Sequence, residues 1–204
     1  MTVPPQGPAP MYVPAFSMKQ RITMMANRYE LIVTNPDGTD GQLLAFAQQK
    51  RLAIKEEVTF YADDTKSQAV FSFKARKRLD LGAGYDVFDA NGQSIGWFKK
   101  EFGKSLLRSS WQLAGPGLEA DGAERNPTIA IVRRVWQFVP VVGDIPLPFI
   151  FHFDFKDRAT GQPVLSVERK ISVRDRYRVS VQDSRLDFRV AAAMTVALDA
   201  LQSR

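Results

Sequence analysis

Phe188-Arg189-Val190-Ala191-Ala192-Ala193-Met194-Thr195-Val196-Ala197-Leu198-Asp199-Ala200-Leu201 is the stretch that decides the fold. Across residues 190–198 the side chains are apolar or small on every side of a helix. A helix of that kind has to be surrounded by protein. It is too short, and too charged at its ends, for the ~20 apolar residues that cross a bilayer. Just before it, Ser184-Arg185-Leu186-Asp187 fits a capping box, which predicts Ser184 as the N-cap. The alanines let strands approach closely. A sheet closed around the helix would bury it and limit open edges.

Strands for such a sheet are legible upstream. Tyr29-Glu30-Leu31-Ile32-Val33 runs into Asn35-Pro36-Asp37-Gly38, and Tyr85-Asp86-Val87-Phe88 into Asp89-Ala90-Asn91-Gly92. Phe149, Phe151, Phe153 and Phe155 alternate with Ile150, His152 and Asp154 before Ala159-Thr160-Gly161. Each run predicts a hairpin, because Asn-Gly and similar pairs supply the positive-φ residues of tight turns. The three hairpins look like one motif reused, with Gly-Gln at 41–42, 92–93 and 161–162. Their spacing is unequal, which argues against a solenoid. Further strands are expected at 18–24, 58–62, 69–75 and 109–114. The Gly- and acid-rich stretch 115–126 reads as a loop, and the helical spacing of Ile131, Val132, Val135, Trp136 and Val139 predicts a helix over 128–138.

Composition narrows the function classes. A chain of 204 residues without cysteine excludes disulfides and thiolate metal sites and points to a reducing compartment. With His152 as the single histidine, no site with several imidazole ligands can be built in one chain. A net charge of +6 favours anionic partners such as phospholipid headgroups, though it also lies in the range that serves solubility. Residues 1–16 read as a disordered Pro-rich tail, with Pro5-Gln6-Gly7-Pro8 fitting the spacing that protein partners of polyproline segments read. That stretch lacks the basic and apolar regions of a signal peptide. The apolar stretch 135–153 is broken by Gln137, Asp144 and three prolines, so no transmembrane segment is expected.

Taken in order, the curved hairpins, Val167-Glu168-Arg169-Lys170 leading to Tyr177-Arg178-Val179-Ser180-Val181, Asp187 and the Ala-rich helix resemble the tubby C-terminal-like superfamily. The LURP-one-related and phospholipid scramblase-like branches are the most similar. Tyr85-Asp86-Val87-Phe88-Asp89 with Gly92 and Gly96 is similar to their central Y-x-V-x-D-x-x-G-x-x-x-G pattern. The resemblance covers about residues 17–204. It implies a mainly β domain: a closed antiparallel tubby-like barrel of about twelve strands around the C-terminal helix. It also implies phosphoinositide binding through a basic surface, as in tubby proteins. The lipidated cysteines and calcium segment of scramblase-like proteins have no counterpart here, and no tubby lipid-binding residue is carried over.

Candidate chemistry is sparse. Gly92-Gln93-Ser94-Ile95-Gly96 matches the G-x-S-x-G nucleophile elbow, and Asp144 and His152 follow in the hydrolase order. That elbow needs a strand-to-helix turn, whereas Asn91-Gly92 reads as a hairpin, so Ser94 is expected to be an ordinary strand residue. His152 beside Asp154 reads as a surface neighbour pair, and Asp63-Asp64 as a turn. No P-loop, dinucleotide fingerprint or EF-hand loop is present, and neither cofactor nor metal is expected.

The basic residues are better organised. Arg174, Arg176 and Arg178 alternate with Val173, Tyr177, Val179 and Val181, and Lys74, Arg76 and Arg78 lie opposite Phe73 and Ala75. On a strand each set makes a charged row of roughly 13 Å, which is either a site for phosphate-rich surfaces or ordinary solvated exterior. Lys99, Lys100, Lys104, Arg133 and Arg134 add charge without a readable placement. The expectation is a non-enzymatic, cytoplasmic domain, peripheral at the inner membrane face, that binds anionic lipid headgroups. The alternative is a structural or protein-interaction domain acting through the Pro-rich tail. Nucleic acid is disfavoured because stacking aromatics do not accompany the basic rows.

Overall fold

Alternation of apolar and polar residues along twelve strands builds a wall with one greasy face, and the wall closes on itself. The computed structural model describes residues 10–22, 26–50, 57–76, 84–101, 110–125, 152–170 and 176–202. The strands are β1 (Ala15–Ile22), β2 (Ala26–Thr34), β3 (Asp40–Lys50), β4 (Glu57–Tyr61), β5 (Ala69–Ala75) and β6 (Tyr85–Asp89). They continue with β7 (Ser94–Glu101), β8 (Ser110–Gly115), β9 (Leu118–Glu124), β10 (His152–Asp157), β11 (Pro163–Lys170) and β12 (Arg176–Val181). The helix α1 (Phe188–Gln202) follows. Each strand pairs antiparallel with its sequence neighbour, and β1 pairs with β12 to close the barrel.

Inside, Phe16, Met18, Tyr29, Phe60, Phe71, Phe73, Phe98, Trp111, Phe153 and Phe155 are all buried around the helix. Helix residues 190–198 are no more than 1% exposed, so the segment that is apolar all round is indeed surrounded on every side. The helix lies against β5, β6, β7, β8 and β12. Thr195, fully buried, satisfies its hydroxyl by donating to the Ala191 carbonyl at 2.8 Å.

The central motif has a physical reading. Val87 points inward and is fully buried, and Tyr85 stacks on Phe98 at 5.1 Å. Asp89 Oδ1 accepts from the amides of Asn91 and Gln93, which fixes the turn, and Gly92 takes φ 78°. Gly96 is where β7 passes closest to its neighbours. A Cβ there would sit 2.5 Å from the Ala114 carbonyl oxygen and 2.8 Å from Val190 of the helix.

The three expected hairpins are β2–β3, β6–β7 and β10–β11, with left-handed glycines at Gly38, Gly92 and Gly161. The first departs from the other two: its left-handed residue is Gly38, not the glycine of the Gly41-Gln42 pair. Asp63 and Asp64 lie in the β4–β5 turn, where Asp63 Oδ1 accepts from the Thr65 amide at 2.9 Å.

Two expectations are corrected. Ser184 does not cap the helix. Asp187 does, accepting from the Arg189 amide through Oδ1 at 2.9 Å, while its carbonyl accepts from Val190 and Ala191. Ser184 instead sits in a turn closed by Leu186 N–H onto the Asp183 carbonyl. The cap is reinforced from the other end of the chain: Met11 N–H donates to Asp187 Oδ2, and Phe188 N–H donates to the Met11 carbonyl. The described part of the stretch read as a loop, residues 115–125, holds instead the end of β8, a tight turn at Gly117 and strand β9. Its alternation was hidden by small residues, with Leu118, Ala120 and Gly122 facing inward. Gly122 is required because a Cβ would lie 2.2–2.6 Å from the Phe155 ring.

The segment read as a Pro-rich tail joins the barrel before residue 16, since Ala15 and Phe16 belong to β1. Residues 11–14 are pinned by the Met11 bonds and by Val181 N–H donating to the Pro14 carbonyl. The helix expected over 128–138 lies outside the described residues, as do Arg78, Asp144 and Arg174.

Candidate basic site on the β1–β12 wall

Register decides which charged side chains meet. On the outer face Lys170 of β11 stands opposite Arg176 of β12, and Arg176 stands opposite Lys19 of β1. Three cations therefore lie side by side across three adjacent strands. Like charges directly opposite one another destabilise a sheet, and their Cβ atoms are only ~4.5–5.5 Å apart. Arg178, exposed one step along β12, stands opposite Ser17 of β1. Tyr177 and Val179 point the other way into the core, as the alternation requires.

Among the described residues one acid is bonded to this cluster. Asp40, at the start of β3, accepts from Lys19 Nζ at 2.6 Å and from Arg176. Lys19 first, with Arg176 adding to it, holds its carboxyl below the usual carboxylate range against the opposing effect of burial. Among the described residues neither Lys170 nor Arg178 has an ion-pair partner. Glu168, which faces Arg178 in register, is engaged by Arg125 at 3.3 Å.

Between these residues is a recess of about 180 Å³ lined by Ser17, Thr34, Gly38, Lys170, Arg176 and Arg178. That is several times the ~30 Å³ share of one water in the liquid. The Thr34 hydroxyl is buried there without a hydrogen-bond partner among the described residues. Ser17, 3% exposed, accepts a long 3.5 Å bond from Arg176. The recess thus offers cationic and hydroxyl groups on one side of the barrel, which is the donor set an oxyanion takes.

The second basic row lies elsewhere. From β12 the shorter way round the barrel to β5 passes β1, β2, β3 and β4, five steps of twelve, so the two rows occupy nearly opposite walls. The described members of that row also have carboxylate partners. Lys74 reaches Glu57 at 3.4 Å, and Arg76 grips Asp86 in a fork at 2.7–3.0 Å while lying 5.3 Å over the Trp97 ring. Asp86 raises the Arg76 guanidinium against the opposing effect of burial, as expected of a paired structural cation. Of the six basic residues singled out from sequence, Arg176 and Arg178 share the recess; Lys170 lines it with them, and Lys19 stands beside Arg176 on β1. Nothing in the spacing of Lys19 or Lys170 marked them, because only strand register brings them beside Arg176.

Among the described residues the hydrolase-like motif finds no matching geometry. Ser94 is exposed, is the first residue of β7, and follows a hairpin turn rather than preceding a helix. His152, on β10, is three strands away from β7. Its Nδ1 lies 3.3 Å from Arg125, which also binds Asp154 through a fork at 2.6 and 2.7 Å. Ser166 donates to the same Asp154 at 2.5 Å. Arg125, and then Ser166, hold the Asp154 carboxyl low despite partial burial. The His-Asp neighbours are therefore joined by an arginine in a surface network.

Among the described residues no helix is long and apolar enough to cross a membrane. No curated protein matches the chain. The sequence pattern of the LURP-one-related family, however, matches residues 43–199, which takes in the central motif, the β10–β11 hairpin and nearly all of the enclosed helix. With the closed barrel and the threaded helix already established, the match over most of the chain leaves one assignment: the chain belongs to the LURP-one-related family of the tubby-like superfamily.

Proposed function

We propose that this tubby-like domain is a non-enzymatic, peripheral binder of anionic phospholipid headgroups, working at the cytoplasmic face of a membrane. The observation that supports this reading is the ladder Lys170–Arg176–Lys19 with Arg178 beside it, to which a single carboxylate is bonded among the described residues. A row of cations held at mutual cost invites an anion, and each cation near an anionic membrane contributes about 1 kcal/mol. The β5 row is the weaker candidate, since both described cations in it are already neutralised. Cosedimentation with vesicles across salt concentrations tests the reading. Binding to phosphatidylserine or phosphoinositide vesicles should be strongest at low salt and fade as the screening length shortens, and neutral phosphatidylcholine vesicles should not be bound.

A second reading, protein interaction through the Pro-rich segment, draws on the N-terminal strap. Met11 and Tyr12 are 51% and 43% exposed, yet the Met11 backbone is bonded to the helix cap, so a partner gripping the segment would act directly on the start of α1. Deleting residues 1–9 should leave vesicle binding unchanged if lipid is the ligand.

A further inference from the structure

Asp40 makes the contacts that a bound anion would make. Its carboxylate bonds Lys19 and Arg176, two of the three cations in the ladder, and Arg176 itself lines the recess. It is carried by β3 immediately after the β2–β3 turn, and Thr34, whose buried hydroxyl lacks a partner, is its register neighbour on β2. The turn backbone at Gly38 forms part of the same recess. Among the described residues the recess thus combines two cations without ion-pair partners, one cation held by an internal acid, and an unused hydroxyl.

We propose that Asp40 is an internal counter-ion that restrains this site, and that the ligand which displaces it is a phosphate monoester. The inference rests on the recess being the anion site. A carboxylate carries one negative charge, and so does a phosphodiester. Exchanging one for the other on Lys19 and Arg176 gains nothing in charge. A monoester carries about −1.5 to −2 at neutral pH and offers three acceptor oxygens. It can engage Arg176, Lys170 and Arg178 together and take the Thr34 hydroxyl as a donor. The β2–β3 turn then acts as an autoinhibitory contact, holding wild-type affinity below what the cations alone would give. The monoester can belong to a lipid headgroup or be free in solution, and the experiment separates the two.

Asp40→Asn keeps the side-chain shape and removes the charge, and Asp40→Ser is the fallback should the amide fold poorly. Glu119→Gln, on β9, makes the same net-charge change far from the recess. Each is compared with wild type on phosphatidylcholine vesicles carrying phosphatidic acid (a monoester) or phosphatidylserine (a diester) at matched surface charge. Each is also melted with inorganic phosphate against chloride at equal ionic strength. Wild type should prefer phosphatidic acid. Asp40→Asn should bind those vesicles about fivefold tighter, the effect of about one charge near the surface, and should gain more melting temperature from phosphate than wild type does. Glu119→Gln should match wild type. An Asp40 variant that gains nothing on either probe, or a gain of equal size in Glu119→Gln, overturns the proposal. If wild type nevertheless binds anionic vesicles, the membrane reading survives that failure. If Asp40→Asn responds to phosphate while no form binds vesicles, the counter-ion assignment stands and the membrane reading falls.

Discussion

The Tyr177 hydroxyl donates to Asp199 Oδ1 at 2.5 Å in the barrel interior, tying strand β12 to the last turns of the enclosed helix. Tyr29 of β2 donates to the other oxygen at 3.1 Å, so the buried carboxylate is held from two strands. Burial, and then the charge of Asp199, push the Tyr29 phenol up, and it remains a neutral donor at any ordinary pH. An acid inside an apolar core is tolerated only when its lone pairs are satisfied. Here it fixes how far the helix is threaded. Tyr177→Phe removes one charge-assisted bond and should cost about 1.5–3 kcal/mol, read as a lower urea midpoint. An unchanged midpoint would show that the clamp is not a stabilising contact.

The helix itself should carry the fold. Leu198 is fully buried, and Leu198→Ala should cost about 2–5 kcal/mol. Deleting residues 184–204 should abolish cooperative folding. A truncated protein that melts at the full-length temperature would contradict the threaded architecture.

Gly96 offers the opposite test, adding an atom rather than removing several. Its missing Cβ makes room for the Ala114 carbonyl and for Val190. Gly96→Ala should therefore cost about 1–3 kcal/mol by overpacking, and trimming Val190 to alanine should recover only the part owed to the helix. The same denaturation curves report both effects.

Acid should unfold the domain in a predictable direction. Arg185 binds Asp157 at 2.5 Å and Asp183 at 2.6 Å, and it holds both carboxyls below the ordinary value of 3.8. A carboxyl whose folded pKa is depressed stabilises the fold above its unfolded pKa and loses that contribution as pH falls through the folded pKa. Stability should be flat above about pH 5 and decline below about pH 4. The decline should be shallower in Arg185→Gln. Equal slopes would show that other carboxylates dominate.

Ser94→Ala should leave the protein unchanged in every assay, because Ser94 opens a strand after a hairpin turn. Labelling of wild type by a fluorophosphonate probe, lost in Ser94→Ala, would contradict the non-enzymatic reading.

Much of this architecture is legible in the chain. The all-round apolar helix demanded an enclosing wall, and Asp89, Gly92 and Gly161 marked hairpins because each supplies a turn-specific conformation. Strand β9 escaped notice because Ala120 and Gly122 show little hydrophobicity, although Gly122 is small precisely where the Phe155 ring passes. The cap falls three residues beyond Ser184, at Asp187, which takes the Arg189 amide locally and a further bond from Met11, 176 positions away, that no local pattern can show. The basic site was half legible. Alternation put Arg176 and Arg178 outside, but Lys19 and Lys170 join them only through the β1–β12–β11 register. Likewise, no spacing in the sequence could tell that Lys74 and Arg76 would each find a carboxylate.

The central claim is that the β1–β12 wall, not positive charge in general, binds anionic membranes. Vesicle cosedimentation of Arg176→Glu/Arg178→Glu beside Lys74→Glu/Arg76→Glu tests it most directly, since both pairs change net charge equally on nearly opposite walls. The β12 pair should lose at least about 30-fold in affinity for phosphatidylserine or phosphoinositide vesicles, from about 1 kcal/mol per lost cation, while the β5 pair keeps most of its binding. Equal losses from both walls, or wild-type protein that ignores anionic vesicles at low salt, would contradict the account.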